Sequence, residues 1–541
     1  MTSRLIAPGK TFGYTDMYLD FLAGSDPARN FYQAPTAASV AEKLDMIAFD
    51  RELLVGFLHQ QNQRYGASLG THEAIDKLRD PRAVCVFAGQ QAGLLGGPMY
   101  TLIKALATVR AAAAYTQELQ RPVVPVFWIA GDDHDFEEAN HAWVLDRQGQ
   151  LVQLAYQSAP EVQLPTAEIR FTDAGELNRV MAALRECLGE TDFTPGLYQL
   201  VASAYTPDDT FVTAFGKFMA ALTKDLGLVL FCPGDPAVKR HAVPFFTAIV
   251  EKQDDLRRAI TERNHLIEQS GYHIQVEKKD NASHLFYNEG GRTPVLHAGD
   301  SFVVGDGRMA RTELLALIEE YPERFSPDVM TRPVFQSFLL PTVSQKGGPA
   351  ELAYLAQINP IFELFDLPAP YYLARPTVTL LEARYERLMR EHGITFEELA
   401  GDVELVVNRV LAGTFPPNLQ GLLEQLRRHV QTHFEDMSKG SLAFDPALGS
   451  FARQTLGKID FALKAFEAKV FSSHKKKSQE TRDRIYRLWH AAYPNHGFQE
   501  RTLNVSYFVS RYGLDIVSFM YEKMDCEEKA HQVLYLSGYT Q

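Results

Sequence analysis

Residues 87–106 read FAGQQAGLLGGPMYTLIKAL. An apolar run ends here, a glycine turn follows, and a helical pattern begins. Such a junction commonly holds an anion, because backbone N–H groups are free at the start of a helix. Gly89, Gly93, Gly96 and Gly97 fit neither G-x-G-x-x-G nor G-x-x-x-x-G-K-[ST], which disfavours an NAD enzyme and a Walker ATPase. On both sides the pattern is strand, helix, strand: AVCVFAG (83–89), MYTLIKALATVRAAAAYTQEL (99–119) and RPVVPVFWIAGDDHD (121–135). The apolar runs are short, β-branched and unalternating, as in strands covered on both faces. Joined through a helix, they predict a parallel, right-handed unit.

DLGLVLFCPGD (225–235) repeats the pattern after a helical stretch, and RPVFQSFLLPTVS (332–344) predicts a further strand. The expected fold is α/β: a Rossmann-like, doubly wound parallel core within 1–375. Residues 145–200 and 275–310 alternate polar and apolar residues around turns such as DRQGQ and NEGG, predicting inserted β-rich or mixed elements. Residues 376–492 are helix-rich. Leu456, Ile459, Leu463, Phe466 and Val470 form a heptad seam, with a second at Leu419, Leu422, Leu426, Val430 and His433. Two helices folded back across SLAFDPALGS (441–450) predict an antiparallel coiled coil able to carry a dimer contact; an ordinary helical bundle is the alternative. HKKKSQETRDR (474–484) reads as a solvated helix face. The tail, 493–541, regains apolar density and is expected to pack back on the core.

The 541 residues are 46% hydrophobic and 22% charged, with a formal net charge of −13. That suffices for a large core and argues against nucleic acid or an acidic membrane as partner. The four cysteines form no CxxC pair, so neither structural zinc nor a disulfide framework is expected. The N-terminus lacks the apolar core of a signal peptide, and no run approaches a membrane span of roughly 20 residues. A cytoplasmic protein is expected.

Chemistry concentrates at four places. In the turn, Gly96 and Gly97 let backbone approach a ligand, Pro98 presets the helix, and Thr101 and Lys104 lie one turn in, with Gln90 and Gln91 at the strand edge. Open α/β sheets bind ligands at that edge. Asp132, Asp133, His134 and Asp135 crowd the end of the next strand. His134 is a candidate general base. The carboxylates suit an amine or magnesium, or a helix cap at Asp133 or Asp135. His134 and His141 do not form HExxH, so zinc hydrolysis is disfavoured. SQKGGPAELAYLAQ (344–357) repeats the glycine–helix recipe with Lys346, Gly347, Gly348 and Glu351; Glu351 alternatively complements the helix dipole. Arg375 is a carboxylate clamp or a structural ion pair. The loop 493–504 offers Asn495, His496, Gln499, Arg501 and Asn504 to a base or phosphate, or is a hinge with satisfied side chains.

GQQAGLLGGPMYTLIKA, PVFWIAGDDHDFEEANH, GGPAELAYLAQINPIFELF and HGFQERTLNVSYFVSRYG together resemble the cysteine ligase family of bacillithiol biosynthesis, the BshC family. The resemblance implies joining of L-cysteine to glucosaminyl-malate, giving bacillithiol. It also implies a core related to nucleotidylyltransferases and class I aminoacyl-tRNA synthetases, and a coiled coil that makes a homodimer. The family often shows Glu-Asp-His-Asp where this chain has Asp132 to Asp135, a swap that keeps the charge and shortens one arm. Amide formation needs an activated carboxylate, so ATP, with magnesium, is the expected cofactor, forming an adenylate or an acyl phosphate; NAD and haem are not. Gly97 to Thr101, with Tyr100, would stand where the synthetases carry their first signature. Lys346 is the nearest candidate for the second.

On this basis His134, Asp133, Asp135 and Lys104 are the catalytic candidates. Gln90, Gln91, Gly96, Gly97, Tyr100, Thr101, Asp132, Glu351 and Arg375 are the substrate-binding candidates. Lys346, Gly347, Gly348, Asn495, His496, Gln499, Arg501 and Asn504 are the nucleotide candidates, and no metal ligand is assigned. Alternatives are a nucleotidyltransferase or deacylase using the same crevice, or a non-catalytic coiled-coil assembly protein. All the enzymatic readings require Gln91 and His134 to face one crevice.

Overall fold

The computed structural model describes residues 3–32 and 36–539. Five strands form its central sheet: β1 (Val84–Gln90), β2 (Val123–Ile129), β3 (Val229–Phe231), β4 (Thr342–Gly347) and β5 (Tyr371–Ala374). All four pairings are parallel and the order is β5-β4-β1-β2-β3. This is the doubly wound arrangement, in which the order reverses between β1 and β4 and opens a crevice at their carboxyl ends. Helix α1 (Tyr100–Leu119) joins β1 to β2. Its small residues Ala111 and Ala112 let it lie close to Val84, Val86, Val123 and Val343. Side chains alternate along a strand, so Phe127 shares the face of Val123 and stacks on Phe215, while on the opposite face Trp128 meets Phe231 and Phe335 edge-on.

Two excursions interrupt the core. Between β2 and β3 a hairpin, His141–Leu145 with Leu151–Ala155, precedes helices Ala174–Leu188, Thr194–Ala204 and Phe211–Leu222. Between β3 and β4 lies an antiparallel sheet built from Ala282–Asn288, Arg292–Ala298, Ser301–Val304, Gly307–Ala310 and Phe325–Pro327. The strand predicted over 332–344 is corrected: Arg332–Leu339 is a helix and β4 begins at Thr342. The Asp328 carboxylate accepts the amides of Met330 and Thr331 ahead of it, and Pro333 sits in its first turn. Val334, Phe335, Phe338 and Leu339 keep a helical spacing, but Leu339, Leu340 and Val343 carry the apolar run straight on into β4, which hides the boundary. A third sheet pairs His531–Tyr535 with Ser3–Ile6 and with Val378–Leu381, and His531 stacks on Phe498 at 3.9 Å.

Residues 1–381 and 494–541 form one compact unit, and Glu382–Tyr493 a second. In the second, α4 (Pro417–Phe444) and α5 (Leu448–Lys477) make a helical hairpin. Arg427 of α4 reaches Asp460 and Glu467 of α5. The half-buried seam runs through Leu419, Leu423, Val430 and Phe434 against Leu456, Ile459, Leu463 and Val470. The predicted seam is therefore corrected in phase: Leu422, Leu426 and Phe466 are exposed, as is Phe461. The basic run is also more than a solvated face, because Lys475 and Arg482 both bind Glu404. Among the described residues, no helix is long and apolar enough to cross a membrane.

Candidate active site

The carboxyl ends of β1, β2, β4 and β5 surround a cavity of about 560 Å³. Gln91 and His134 both line it, and Gln91 Nε2 donates to Asp133 Oδ2 at 2.6 Å. A smaller cavity of about 320 Å³ adjoins it. The two share Gln90, Gln91, Tyr100, Glu138 and Arg501 as a wall.

The glycine turn itself works differently from expectation. Leu95, Gly96 and Gly97 are consecutively left-handed, with φ of 54°, 85° and 70°, a backbone that favours glycine. A Cβ on Gly93 would lie 2.8 Å from Gly97 Cα. The amides of Gly96, Gly97, Met99 and Thr101 donate to Gly93, Leu94, Leu503 and Pro98 carbonyls. The amide cradle is thus corrected: these groups close the turn on itself and tie it to Leu503, and Gly96 reaches neither cavity. Asn504, expected at a nucleotide, instead donates to the Leu95 and Gly97 carbonyls at 2.8 and 2.6 Å. Thr101 Oγ1 is fully buried without a partner and Thr101 lines the smaller cavity beside Gly97.

Lys104 is buried, and its ammonium reaches Gly89 O and Gln90 Oε1, both at 2.9 Å, and Glu351 at 2.6 Å. Three acceptors occupy its three donors, so the catalytic assignment gives way to a positioning one. Glu351 lies in the first turn of α3 (Pro349–Ile358) and also accepts the Gly348 amide at 2.8 Å. Lys104 therefore ties the ends of β1 and β4 together across the switch point. Burial lowers its ammonium despite Glu351. Against burial, Lys104 and the Gly348 amide hold the Glu351 carboxyl below the usual range.

The acidic run after β2 divides its tasks. Asp132 pairs at 2.8 Å with buried Lys239, which also donates to Phe325 O. Asp135 caps α2 (Phe136–Ala139), accepting the Glu138 amide at 3.0 Å. It lines neither cavity, so its catalytic assignment is corrected to a cap. His134 Nδ1 lies 2.7 Å from Arg292 Nη1. A guanidinium only donates, so Nδ1 accepts, the proton is on Nε2 and the ring is neutral. Burial and Arg292 hold the imidazole below its ordinary range, against Asp133 and Asp135. With Nδ1 occupied and Nε2 protonated, His134 has no free lone pair, and the general-base expectation is corrected to a hydrogen-bond donor.

The remaining nucleotide candidates scatter. Lys346 is buried in β4 off the cavity wall, among groups that include Cys526 and Glu527. Gly347 packs on α3, where a Cβ would meet Glu351 and Leu352, while Gly348 lines the larger cavity. Gln499 pairs with both backbone groups of Leu380. His496 is exposed outside both cavities; Asn495 lines the smaller one. Arg375 lines the larger cavity but is held by buried Glu500, which also accepts the Val378 amide.

Five wall residues have no local signal in the sequence. Lys278, Arg292, Asp328 and Arg332 come from the second excursion, and Glu138 from α2. Arg292 stacks 3.6 Å over Phe286. Lys278 and His284 each approach Asp328 at 3.1 Å, and Arg332 donates to the Tyr354 hydroxyl. The result is a cavity with two chemical sides: Arg292, Arg332 and the Lys278–Asp328 pair from the inserted segment, and acceptors from Gln91, Asp133 and Glu138. Among the described residues, no group of three His, Cys, Asp or Glu side chains is arranged to hold a metal ion.

Two family models match the chain: the N-terminal Rossmann-like domain of bacillithiol biosynthesis BshC over residues 1–376, and its C-terminal coiled-coil domain over 378–536. Similar proteins include the "Putative cysteine ligase BshC" of Salinibacter ruber, 29% identical and covering 97% of each chain. That of Koribacter versatilis is 30% identical over 93% of this chain and 94% of its own. That of Geobacillus thermodenitrificans is 29% identical over 96% and 98%.

Proposed function

The chain belongs to the BshC family of bacillithiol biosynthesis, and we propose that it is the ligase that joins the carboxyl group of L-cysteine to the amine of glucosaminyl-malate. The observation that carries this is the two-sided cavity at the switch point. Glucosaminyl-malate presents two carboxylates at one end and an amine at the other. Lys278, Arg292 and Arg332 suit the carboxylates, and Gln91, Asp133 and Glu138 suit the amine. Charge-assisted pairs of this kind orient a substrate as well as hold it. Cysteine would occupy the adjoining cavity, across the shared wall.

The donor set of the smaller cavity fits a nucleoside triphosphate. Thr101 offers a buried, unpartnered hydroxyl, and Arg501, which lines both cavities, an exposed guanidinium. These two, with Asn495, would hold the phosphates. When bound, the triphosphate supplies the leaving group that activates the cysteine carboxylate. The protein's own part is orientation and charge. His134 Nε2–H, held by Arg292, donates to oxygen as negative charge develops there, as a preorganised donor does. Asp132, fixed by Lys239, and Asp133, fixed by Gln91, keep the acidic side of the cavity in place.

The hairpin of α4 and α5 exposes Leu422, Leu426, Phe461 and Phe466. A second copy of this coiled coil would cover them, giving a homodimer.

The test is direct. Purified chain with L-cysteine, glucosaminyl-malate and ATP should yield bacillithiol by mass spectrometry. A deletion strain should accumulate glucosaminyl-malate and lack bacillithiol. Unchanged pools of both compounds in that strain would refute the assignment.

A further inference from the structure

The amide-forming step must dispose of a proton, and the geometry narrows where it goes. An attacking amine sheds that proton where the two reactants meet, and the two cavities meet only along Gln90, Gln91, Tyr100, Glu138 and Arg501. Gln90 Oε1 is taken by Lys104, and its amide nitrogen donates to the Tyr100 hydroxyl. Tyr100 keeps its proton, since burial pushes the phenol up to about 12. Arg501 is a cation with nothing to accept. Gln91 is an amide that does not titrate. His134 lines only the larger cavity and has its Nδ1 lone pair engaged by Arg292.

Resting on the ligase reading above, we propose that Glu138 is the general base that takes the proton from the glucosamine nitrogen as it attacks cysteine. The nitrogen lone pair forms the C–N bond to the cysteine carboxyl carbon. The bond from that carbon to the carboxylate's own phosphorylated oxygen, whose phosphate group came from the nucleoside triphosphate, breaks, and that oxygen leaves with the electron pair on the phosphate. The surplus N–H proton passes to a Glu138 carboxylate oxygen and then to water.

The surroundings of Glu138 suit the task. It lies on α2, its amide fixed to Asp135 Oδ1. Glu138 is itself exposed; desolvation by the surrounding wall, then Asp135 and Asp133, push its carboxyl up, while Gln91 and Lys104 draw it down. His141 and Arg501 complete the wall on the side of the smaller cavity. A carboxyl raised above its ordinary range is a stronger base than an ordinary one. Gln91 Oε1 is buried without a donor, and would take a second N–H of the same amine.

The experiment compares Glu138→Gln with the wild type on two nucleophiles. Hydroxylamine is largely unprotonated at pH 7 and needs no base, so trapping with it reports cysteine activation alone. Glu138→Gln should lower ligation at pH 7 by about 10²–10³-fold, the usual worth of a general base. It should keep cysteine hydroxamate formation within about threefold, and its ligation should recover as pH rises and the free amine fraction grows. Ligation within threefold of wild type, or parallel loss of ligation and hydroxamate, would overturn the assignment. If the wild type forms hydroxamate and no bacillithiol, the ligase reading fails, and the base assignment with it.

Discussion

Arg292 Nη1 lies 2.7 Å from His134 Nδ1, and the guanidinium is stacked on Phe286. This fixes the tautomer of the imidazole as well as its place. Burial and the adjacent cation both disfavour a second proton. Nitrogen-15 NMR should therefore show His134 neutral, with its proton on Nε2, throughout pH 6–8. Arg292→Met should raise its pKa, since Asp133 and Asp135 then act unopposed by the cation. A His134 that is doubly protonated at pH 7 in the wild type would contradict the assigned geometry.

His531 gives a pH dependence of stability. It is fully buried, and burial, then Arg375, lower its pKa from 6.5 to about 3. The unfolded chain binds a proton that the folded chain refuses. The stabilisation is thus complete above about pH 6.5 and is lost as pH falls toward 3, by about 1.4 kcal/mol per unit for one proton. His531→Gln retains a partner for Thr379 Oγ1 and should flatten that part of the urea-derived stability profile. An equally steep decline in the variant between pH 6 and 4 would show that other groups govern it.

What could be read from the sequence follows from locality. β1 and β2 were legible because strands covered on both faces leave unbroken apolar runs, and Phe87, Val126 and Phe127 are all buried. Gln91 and Asp133 were legible as neighbours because both follow strand ends. Arg292 was not, because nothing local marks which arginine of an inserted sheet folds over His134. Its arrival is also what changes His134 from an acceptor to a donor. Residues 332–339 misled because their apolar residues run on into β4 through Leu340 and Val343, although Val334, Phe335, Phe338 and Leu339 carry the helical spacing. The α4 seam slipped by one position because Leu422 and Leu423 are adjacent leucines, and only the hairpin partner selects Leu423.

The hairpin makes a separate prediction. Replacing Leu422 and Leu426 together by glutamate places two charges on its exposed apolar row, without touching the half-buried seam of Leu423, Val430 and Phe434. Sedimentation equilibrium should give twice the chain mass for the wild type and a monomer for the double variant, with unchanged helical circular dichroism. A double variant that still sediments as a dimer would locate the contact elsewhere.

The Lys104–Glu351 pair bridges the two strands between which the sheet order reverses. Its side chains are 3% and 21% exposed, so each charge depends on the other for compensation. Lys104→Met leaves the Glu351 carboxylate facing only the Gly348 amide and Arg332. Glu351→Leu leaves a buried ammonium with two neutral acceptors, Gly89 O and Gln90 Oε1. Each single change should cost about 3–5 kcal/mol, the usual penalty for stranding a buried charge. The double variant strands neither, and well-packed apolar replacements of buried ion pairs are often tolerated. It should therefore be more stable than either single variant in urea, with a coupling of about 2 kcal/mol or more. It should also lose ligation, because Gln90, released from Lys104, no longer holds the shared wall. Additive destabilisation would mean that the two side chains act independently, and that the switch point is held by the sheet hydrogen bonds alone.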